Sequence, residues 1–445
     1  MTSPTRRQGI SRLIVEGYKS LRARHTVDIR PLTILAGVNS SGKSSVMQPL
    51  LLLKQTIEST YDPGPLLLNG PNVSVTAIDQ ILSRGPSARS QVRSFTVGLG
   101  IGGEETTIRF GKDKDNDLRI LEFAGYYAPD QDQPIPLRED MSEEELLRSL
   151  TPSTAELYEG LVSGNRPERR LSVDRDRFIL YPAVSLQRLP GTSINLGFRN
   201  DSLRRDISQV IHLPALRGNP KRTYPVTAVE QQYPGTFDVY TAGVIASWRN
   251  RQKVDLLNFL KSDLERLSLT WKVEARRVLD TQVELLVGRL PHAQQGGARD
   301  LVNIADVGFG VSQTLPVVVA LLAADPGQLV YLEQTEIHLH PRAQVRFGSL
   351  IPRALARGVI TVIETHSSLL IQSVQTLVAK GEINPKDVVL HWCARDPITG
   401  FTKITTAELK DDGSFGDWPE DFDEVQLAAE AEYLDAASAK DRRRR

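Results

Sequence analysis

At 445 residues the chain exceeds one average domain, and its 40% hydrophobic content is enough for a substantial core, which excludes a disordered protein. Its 54 Lys and Arg balance its 54 Asp and Glu, so no whole-chain field draws it to nucleic acid. The lone Cys393 excludes an intramolecular disulfide and a cysteine-based zinc cluster, and suits a reducing cytoplasm. No apolar run approaches the ~18 residues of a membrane span, and none follows Arg6 and Arg7 as in a signal peptide.

In chain order, Ser11–Glu16 and Val27–Arg30 read as short strands around a polar turn, Gly17-Tyr-Lys-Ser-Leu-Arg22, that could sit near a nucleotide base. Leu32–Ala36 is an apolar strand, and Val46–Leu53 opens an apolar helix in which Pro49 predicts a kink. Between them lies Gly37-Val-Asn39-Ser40-Ser41-Gly42-Lys43-Ser44-Ser45. This is a glycine-bracketed phosphate loop in the strand–loop–helix setting that gives it meaning. Gly37 and Gly42 permit the tight turn, and the helix N-terminus adds unpaired N–H groups. Lys43 would neutralise the β- and γ-phosphates while Ser44 offers its hydroxyl to Mg²⁺.

Val92–Ile101 and Glu105–Phe110 form a hairpin across Gly102-Gly103, and Leu118–Tyr126 continues the strand pattern. Ala128–Arg138 is polar and proline-rich and reads as a linker, and Ser142-Glu-Glu-Glu145 is a helix-opening capping box. Phe178–Leu186 reads as a strand and Val210–Arg217 as an extended segment. Val254–Leu267 carries leucines at helical spacing, for core packing or dimerisation. Strand patterns return at Leu269–Arg276, Gln282–Val287 and Leu301–Val307. Helices and strands then alternate from Gln313 to Trp392, which predicts a largely parallel sheet covered by helices. Arginine clusters at Arg166–Arg177, Arg199–Arg205, Arg217–Arg222 and Arg442–Arg445 read as solvated surface or as phosphate-contacting patches.

A phosphate loop needs a second acidic strand, and Leu329-Val-Tyr-Leu-Glu333 offers a carboxylate at the C-terminal edge, where open α/β sheets bind ligands. Glu333 would hold Mg²⁺ directly or through water, opposite Ser44. The stretch Gln334-Thr-Glu336-Ile-His338-Leu-His340-Pro341 follows. With it the sequence resembles ABC-type ATPases of the SMC/RecF/OLD group, in particular stand-alone bacterial "AAA family ATPase" proteins. Asp306-Val-Gly308-Phe-Gly310-Val-Ser312-Gln313 resembles that group's signature loop, and Ile363-Glu-Thr-His366-Ser its switch-histidine loop. The closing Asp417–Asp423 segment also resembles a C-terminal motif of the subfamily.

The resemblance implies an α/β P-loop NTPase of ABC type with a mixed sheet, an antiparallel β subdomain and an inserted, mainly helical lobe. The expected division is an N-terminal ATPase lobe (1–127), an inserted dimerisation or partner arm (128–268), a C-terminal ATPase lobe (269–395) and an extension (396–445). It also implies ATP and Mg²⁺ as ligands and a homodimer in which Gly308, Gly310, Ser312 and Gln313 meet ATP held by the opposite chain. His366 would contact the γ-phosphate or the attacking water. His338 and His340 lack a third ligand and read as loop structure. Where relatives carry a base glutamate this chain has Gln334, which can orient water but not take its proton; Glu336 is the nearest remaining carboxylate. Slow ATP hydrolysis that switches a partner, such as a separately encoded nuclease or toxin in antiphage defence, is the expected function. The alternatives are a DNA-repair or chromosome-maintenance ATPase on nucleic acid and an assembly module that sequesters a toxin or sensor.

Overall fold

The computed structural model describes residues 9–86, 90–127, 131–162, 169–189, 192–197, 201–226, 232–290 and 300–416. The Asp417–Asp423 motif and the Arg442–Arg445 end lie outside them. The chain opens with β1 (Ile10–Glu16), β2 (His25–Asp28), β3 (Leu32–Gly37) and α1 (Lys43–Glu58). Pro49 sits inside α1 without ending it. Next come β4 (Ser94–Ile101), β5 (Glu104–Lys112), β6 (Leu118–Gly125) and β7 (Ile135–Leu137). Gly102 and Gly103 both adopt positive φ (63° and 92°), the turn that a right-twisted hairpin demands. β7 pairs with β6, so the expected linker contributes a strand.

The middle holds α2 (Glu143–Ser149), α3 (Pro152–Val162), β8 (Arg169–Asp176), β9 (Ile179–Leu189), β10 (Thr192–Gly197) and α4 (Asp201–Ser208). Both arms of the predicted capping box are present on α2, between Ser142 and Glu145. Then follow β11 (Ile211–Leu213), β12 (Tyr224–Pro225), α5 (Thr241–Asn250) and α6 (Val254–Arg266). The last third comprises β13 (Val273–Leu279), β14 (Gln282–Gly288), β15 (Leu301–Asn303), α7 (Phe309–Ala323), β16 (Leu329–Glu333), α8 (Pro341–Phe347), α9 (Ile351–Ala356), β17 (Ile360–Thr365), α10 (Ser368–Ala379), β18 (Val388–Arg395) and β19 (Thr402–Glu408). The helix expected over Arg342–Arg357 is divided by a 3₁₀ turn at Gly348–Leu350.

The central sheet runs β11-β16-β17-β3-β18-β19, parallel except for β19. Its middle strands are apolar on both sides, so successive side chains feed two cores. Leu32, Ile34 and Ala36 of β3 join α5, α6, α7 and α10, whereas Leu35 joins α1 and the β1–β7 sheet. An antiparallel sheet, β2-β1-β4-β5-β6-β7, supplies the β subdomain on the α1 side. The 128–268 span does not separate as one body: β11 is an edge strand of the central sheet, and α5 and α6 pack on α7 in its core. The leucine stripe of α6 is thereby spent on packing at Leu260 and Leu264, the first of the two expected uses.

A buried ion pair, Lys54 with Glu58, pins the C-terminal end of α1. Lys54 Nζ donates to the carbonyls of Tyr233 (3.0 Å) and Gly235 (3.2 Å), and Gly235 N–H donates to Glu58 (2.9 Å). Several clustered arginines are taken up in ion pairs: Arg175 with Asp62, Arg204 with Asp176 and Arg222 with Asp306.

Candidate functional site

The phosphate loop leaves β3 at Gly37 (φ 144°) and enters α1 from Gly42 (φ 98°). A Cβ on Gly37 would lie 2.1 Å from the Cys393 carbonyl, and one on Gly42 would lie 2.2 Å from Thr402 Oγ1. Both glycines are therefore fixed by backbone angle and by close neighbours. Thr402 Oγ1 donates to the Ser41 carbonyl (2.7 Å) and holds the loop from behind. No side chain caps α1 and its first turn carries no acid, so its leading N–H groups stay open to an anion.

This loop walls a polar cleft of about 420 Å³ together with Lys19, Ser20 and Gln48, and with Gln334, Glu364, His366 and Arg395. Lys43 Nζ is 2.9 Å from the Val38 carbonyl, 3.0 Å from that of Gly37 and 3.4 Å from His366 Nδ1. Lys19, at φ 47°, reaches Gln48 Oε1 at 2.6 Å, and with Ser20 it brings the Gly17–Arg22 turn to the wall of this cleft. Burial lowers the pKa of both lysines.

The carboxylates are arranged differently from the sequence expectation. The acid against Ser44 is Glu364, at the end of β17. Its Oε1 accepts from Ser44 Oγ (2.9 Å) and its Oε2 from the Tyr331 hydroxyl (2.7 Å). Burial raises the Glu364 pKa beyond what these bonds offset. Glu333 is its register partner on β16 but is engaged elsewhere: Oε1 lies 3.1 Å from His212 Nε2, Oε2 accepts from Ala215 N–H at 3.1 Å, and the carboxylate also meets the Tyr331 hydroxyl. Burial pushes the Glu333 pKa up, yet the His212 and Ala215 contacts outweigh it and leave the pKa below the usual value. Nothing in the local sequence distinguished the two. The signal was positional, a carboxylate ending the strand next to β3.

Gln334 adopts φ 42°, and its N–H donates to the Glu364 carbonyl at 2.8 Å. Its side-chain amide lies 3.3 Å from His366 Nε2. Burial, then the Lys43 charge, lowers the His366 pKa, so the ring is neutral near pH 7. The Gln334 amide nitrogen faces Nε2, and the ring also bonds the Gly37 carbonyl on the phosphate loop. Glu336 stays out of the cleft. Its Oε1 accepts from Thr365 Oγ1 and from His366 N–H, both at 2.7 Å, so it braces the histidine loop.

The signature residues open α7 and do not line this cleft. Gly308 is the N-cap, and a Cβ there would meet nothing within 4 Å; at Gly310 the nearest atoms lie 3.6 Å away. Neither glycine is required by its own chain. Ser312 Oγ donates to the Phe309 carbonyl (3.2 Å). Gln313 is buried, with its amide near the Arg217 and Gly218 carbonyls (3.3 and 3.4 Å). Arg217 in turn donates to the carbonyls of Gln313 (2.8 Å) and Glu333 (3.2 Å), a bridge between α7 and β16 that the sequence reading did not foresee. His338 stacks on Phe309 and His340 caps α8 through Arg342 N–H. Among the described residues no three His, Cys, Asp or Glu side chains form a metal cluster. The Ser44 hydroxyl beside the Glu364 carboxylate is nevertheless a hard-oxygen pair of the kind Mg²⁺ accepts next to phosphates.

Among solved structures, the chain is similar to an Smc head bound to the C-winged helix domain of ScpA (TM-score 0.47, 13% identity, 90% of this chain and 98% of that one). It is also similar to the SMC head domain from Thermotoga maritima (0.41, 10%, 89% and 98%). A third is the Pyrococcus furiosus Smc head with extended coiled coil bound to the C-terminal domain of ScpA (0.46, 11%, 90% and 96%). No curated protein matches the chain significantly. The family described as "AAA domain, putative AbiEii toxin, Type IV TA system" matches residues 32–372, from the phosphate-loop strand past His366 into α10. The chain therefore belongs to this AAA-domain family.

Proposed function

We propose that the protein binds ATP, hydrolyses it slowly and works as a nucleotide-gated homodimer, each phosphate cleft being completed by the signature loop of the second chain. The observation that carries this reading is the separation of the two halves. The cleft is lined by the phosphate loop, Gln334, Glu364 and His366, while Gly308 and the exposed Phe309 face open space outside it.

On ATP binding, Lys43 exchanges its bonds to the Gly37 and Val38 carbonyls for phosphate oxygens, which the open N–H groups of α1 also receive. Ser44, with the Glu364 carboxylate beside it, would hold Mg²⁺, whose charge offsets that of the phosphates. Gln334 orients the attacking water, and His366, in contact with its side-chain amide, supports Gln334. A carboxamide takes no proton, and Glu336 is committed to the histidine loop, so turnover is slow and ATP occupancy lasts. The dimer state then controls a partner, a separately encoded nuclease or toxin, in antiphage defence. The resemblance to defence ATPases and the family's toxin–antitoxin description support that assignment.

The test is molecular mass in solution with ATP, ADP and no nucleotide. A dimer with ATP alone, lost in Lys43→Ala and in Ser312→Arg, is expected. A mass that never changes would remove the gated dimer, and protein-alone turnover near ~100 s⁻¹ would remove the slow switch.

A further inference from the structure

We propose that Glu364, and not Glu333, is the carboxylate that faces the nucleotide's magnesium, and that Glu333 with His212 serves to hold the arrangement in place. This rests on the ATP-site reading above and specifies which side chain of that site meets the metal.

Strands β16 and β17 are parallel and in register, so Glu333 and Glu364 stand side by side at the sheet's C-terminal edge. They are not equivalent. β17 is hydrogen-bonded to β3, the phosphate-loop strand, whereas β16 lies one strand further out, about 4.8 Å more across the sheet. Glu364 lines the cleft and meets Ser44 Oγ at 2.9 Å. A serine hydroxyl has one proton and two lone pairs, so Ser44 can keep donating to Glu364 while its oxygen ligates the cation. The carboxylate is thus already positioned for the loaded state.

Glu333 has no such freedom. One oxygen faces His212 Nε2 and the other accepts the Ala215 N–H. Its backbone carbonyl takes Arg217. His212 also stacks on Tyr331, with ring centroids 5.4 Å apart and planes at 12°, and Tyr331 donates to Glu364 Oε2. The order is therefore His212 and Glu333 fixing Tyr331, Tyr331 fixing Glu364, and Glu364 facing Ser44. Glu333 and His212 are positioning residues, and they act through the tyrosine.

The experiment uses Mn²⁺ in place of Mg²⁺, read by the electron paramagnetic resonance of the free ion, on full-length protein carrying a non-hydrolysable ATP analogue. Glu364→Gln keeps the shape and loses the charge, and it should weaken Mn²⁺ binding about tenfold or more. Glu333→Gln should leave Mn²⁺ affinity near wild type, and Glu364→Asp should retain most of it. Analogue binding in EDTA, measured in parallel by fluorescence, should be retained in all three, and tighter in Glu364→Gln, which loses a negative charge beside the phosphates; retained binding shows that the variants are folded. Equal losses in the two glutamine variants, or a larger loss in Glu333→Gln, would overturn the proposal, as would wild-type affinity in Glu364→Gln. If wild-type protein bound no analogue at all, the ATP-site reading itself would fall and this proposal with it. Normal analogue binding with an indifferent Glu364→Gln would sink the carboxylate assignment alone.

Discussion

The phosphate-loop half and the signature half use their polar side chains in opposite ways. In the first, Lys43, Ser44, Gln334, Glu364 and His366 converge on one cleft, and each touches another member of the set. In the second, the side chains turn inward: Ser312 bonds the preceding turn, and Gln313 and Arg217 bond each other's backbones. What remains outward is glycine backbone and the apolar ring of Phe309, which is 52% exposed. A site built from the first half supplies charge and proton donors. A site built from the second supplies backbone N–H groups, close approach and apolar contact, which are of use only to a ligand held elsewhere.

That contrast can be broken at several points. The largest effect is expected at Lys43→Ala, which leaves the cleft without its ammonium and should cost at least ~3 kcal/mol of ATP affinity by calorimetry. Ser312→Arg should behave in the opposite way, keeping the monomer's ATP affinity while abolishing the ATP-dependent change in sedimentation.

Arg217→Ala removes the bridge between the halves, with its hydrogen bonds to the Gln313 and Glu333 carbonyls. A loss of about 2–3 kcal/mol in urea unfolding is expected, with little change in monomer ATP affinity. Replacing Lys54 alone by Met should cost about 3 kcal/mol by leaving Glu58 buried and unpaired; the double change Lys54→Met/Glu58→Leu should cost clearly less.

The smallest effect concerns pH. Burial, and for His366 the Lys43 charge, holds the pKa of His366 and His391 below the ordinary imidazole value. Above that value both states are neutral there and no stability depends on these rings. As pH falls through ~6.5 the unfolded chain takes up protons that the folded chain refuses, and stability declines. His366→Gln should flatten that slope in part, measured by urea midpoints from pH 5 to pH 8.

The features legible in the sequence were those written in contiguous residues. The phosphate loop, the Ser142 capping box and the Gly102–Gly103 hairpin each carry their determinant within a few positions. Whether Glu333 or Glu364 faces Ser44 depends instead on strand order and on His212, more than a hundred residues away in sequence, so no window along the chain contains it. β11 failed to register as part of the ATPase sheet for the same reason. Three residues, Ile211-His-Leu213, carry too little periodicity, and their partner is β16. β19 alternates weakly, with Thr402 its only buried residue, and gave no apolar signal.

The position of β11 bears on how this chain can be rebuilt. A designer wishing to exchange the middle region for another module would be inclined to cut at its apparent ends, near residues 128 and 268. Such a cut would carry off an edge strand of the ATPase sheet, the His212 that steadies Glu333, and the Arg217 that ties down α7. A shorter cut that closes before α4 spares Leu203 and Ile207, but Leu146, Tyr158, Phe178 and Leu180 within it belong to the same core shared with α1. A graft before α4 therefore has to refill that core, and one that passes residue 210 also removes a strand of the sheet itself.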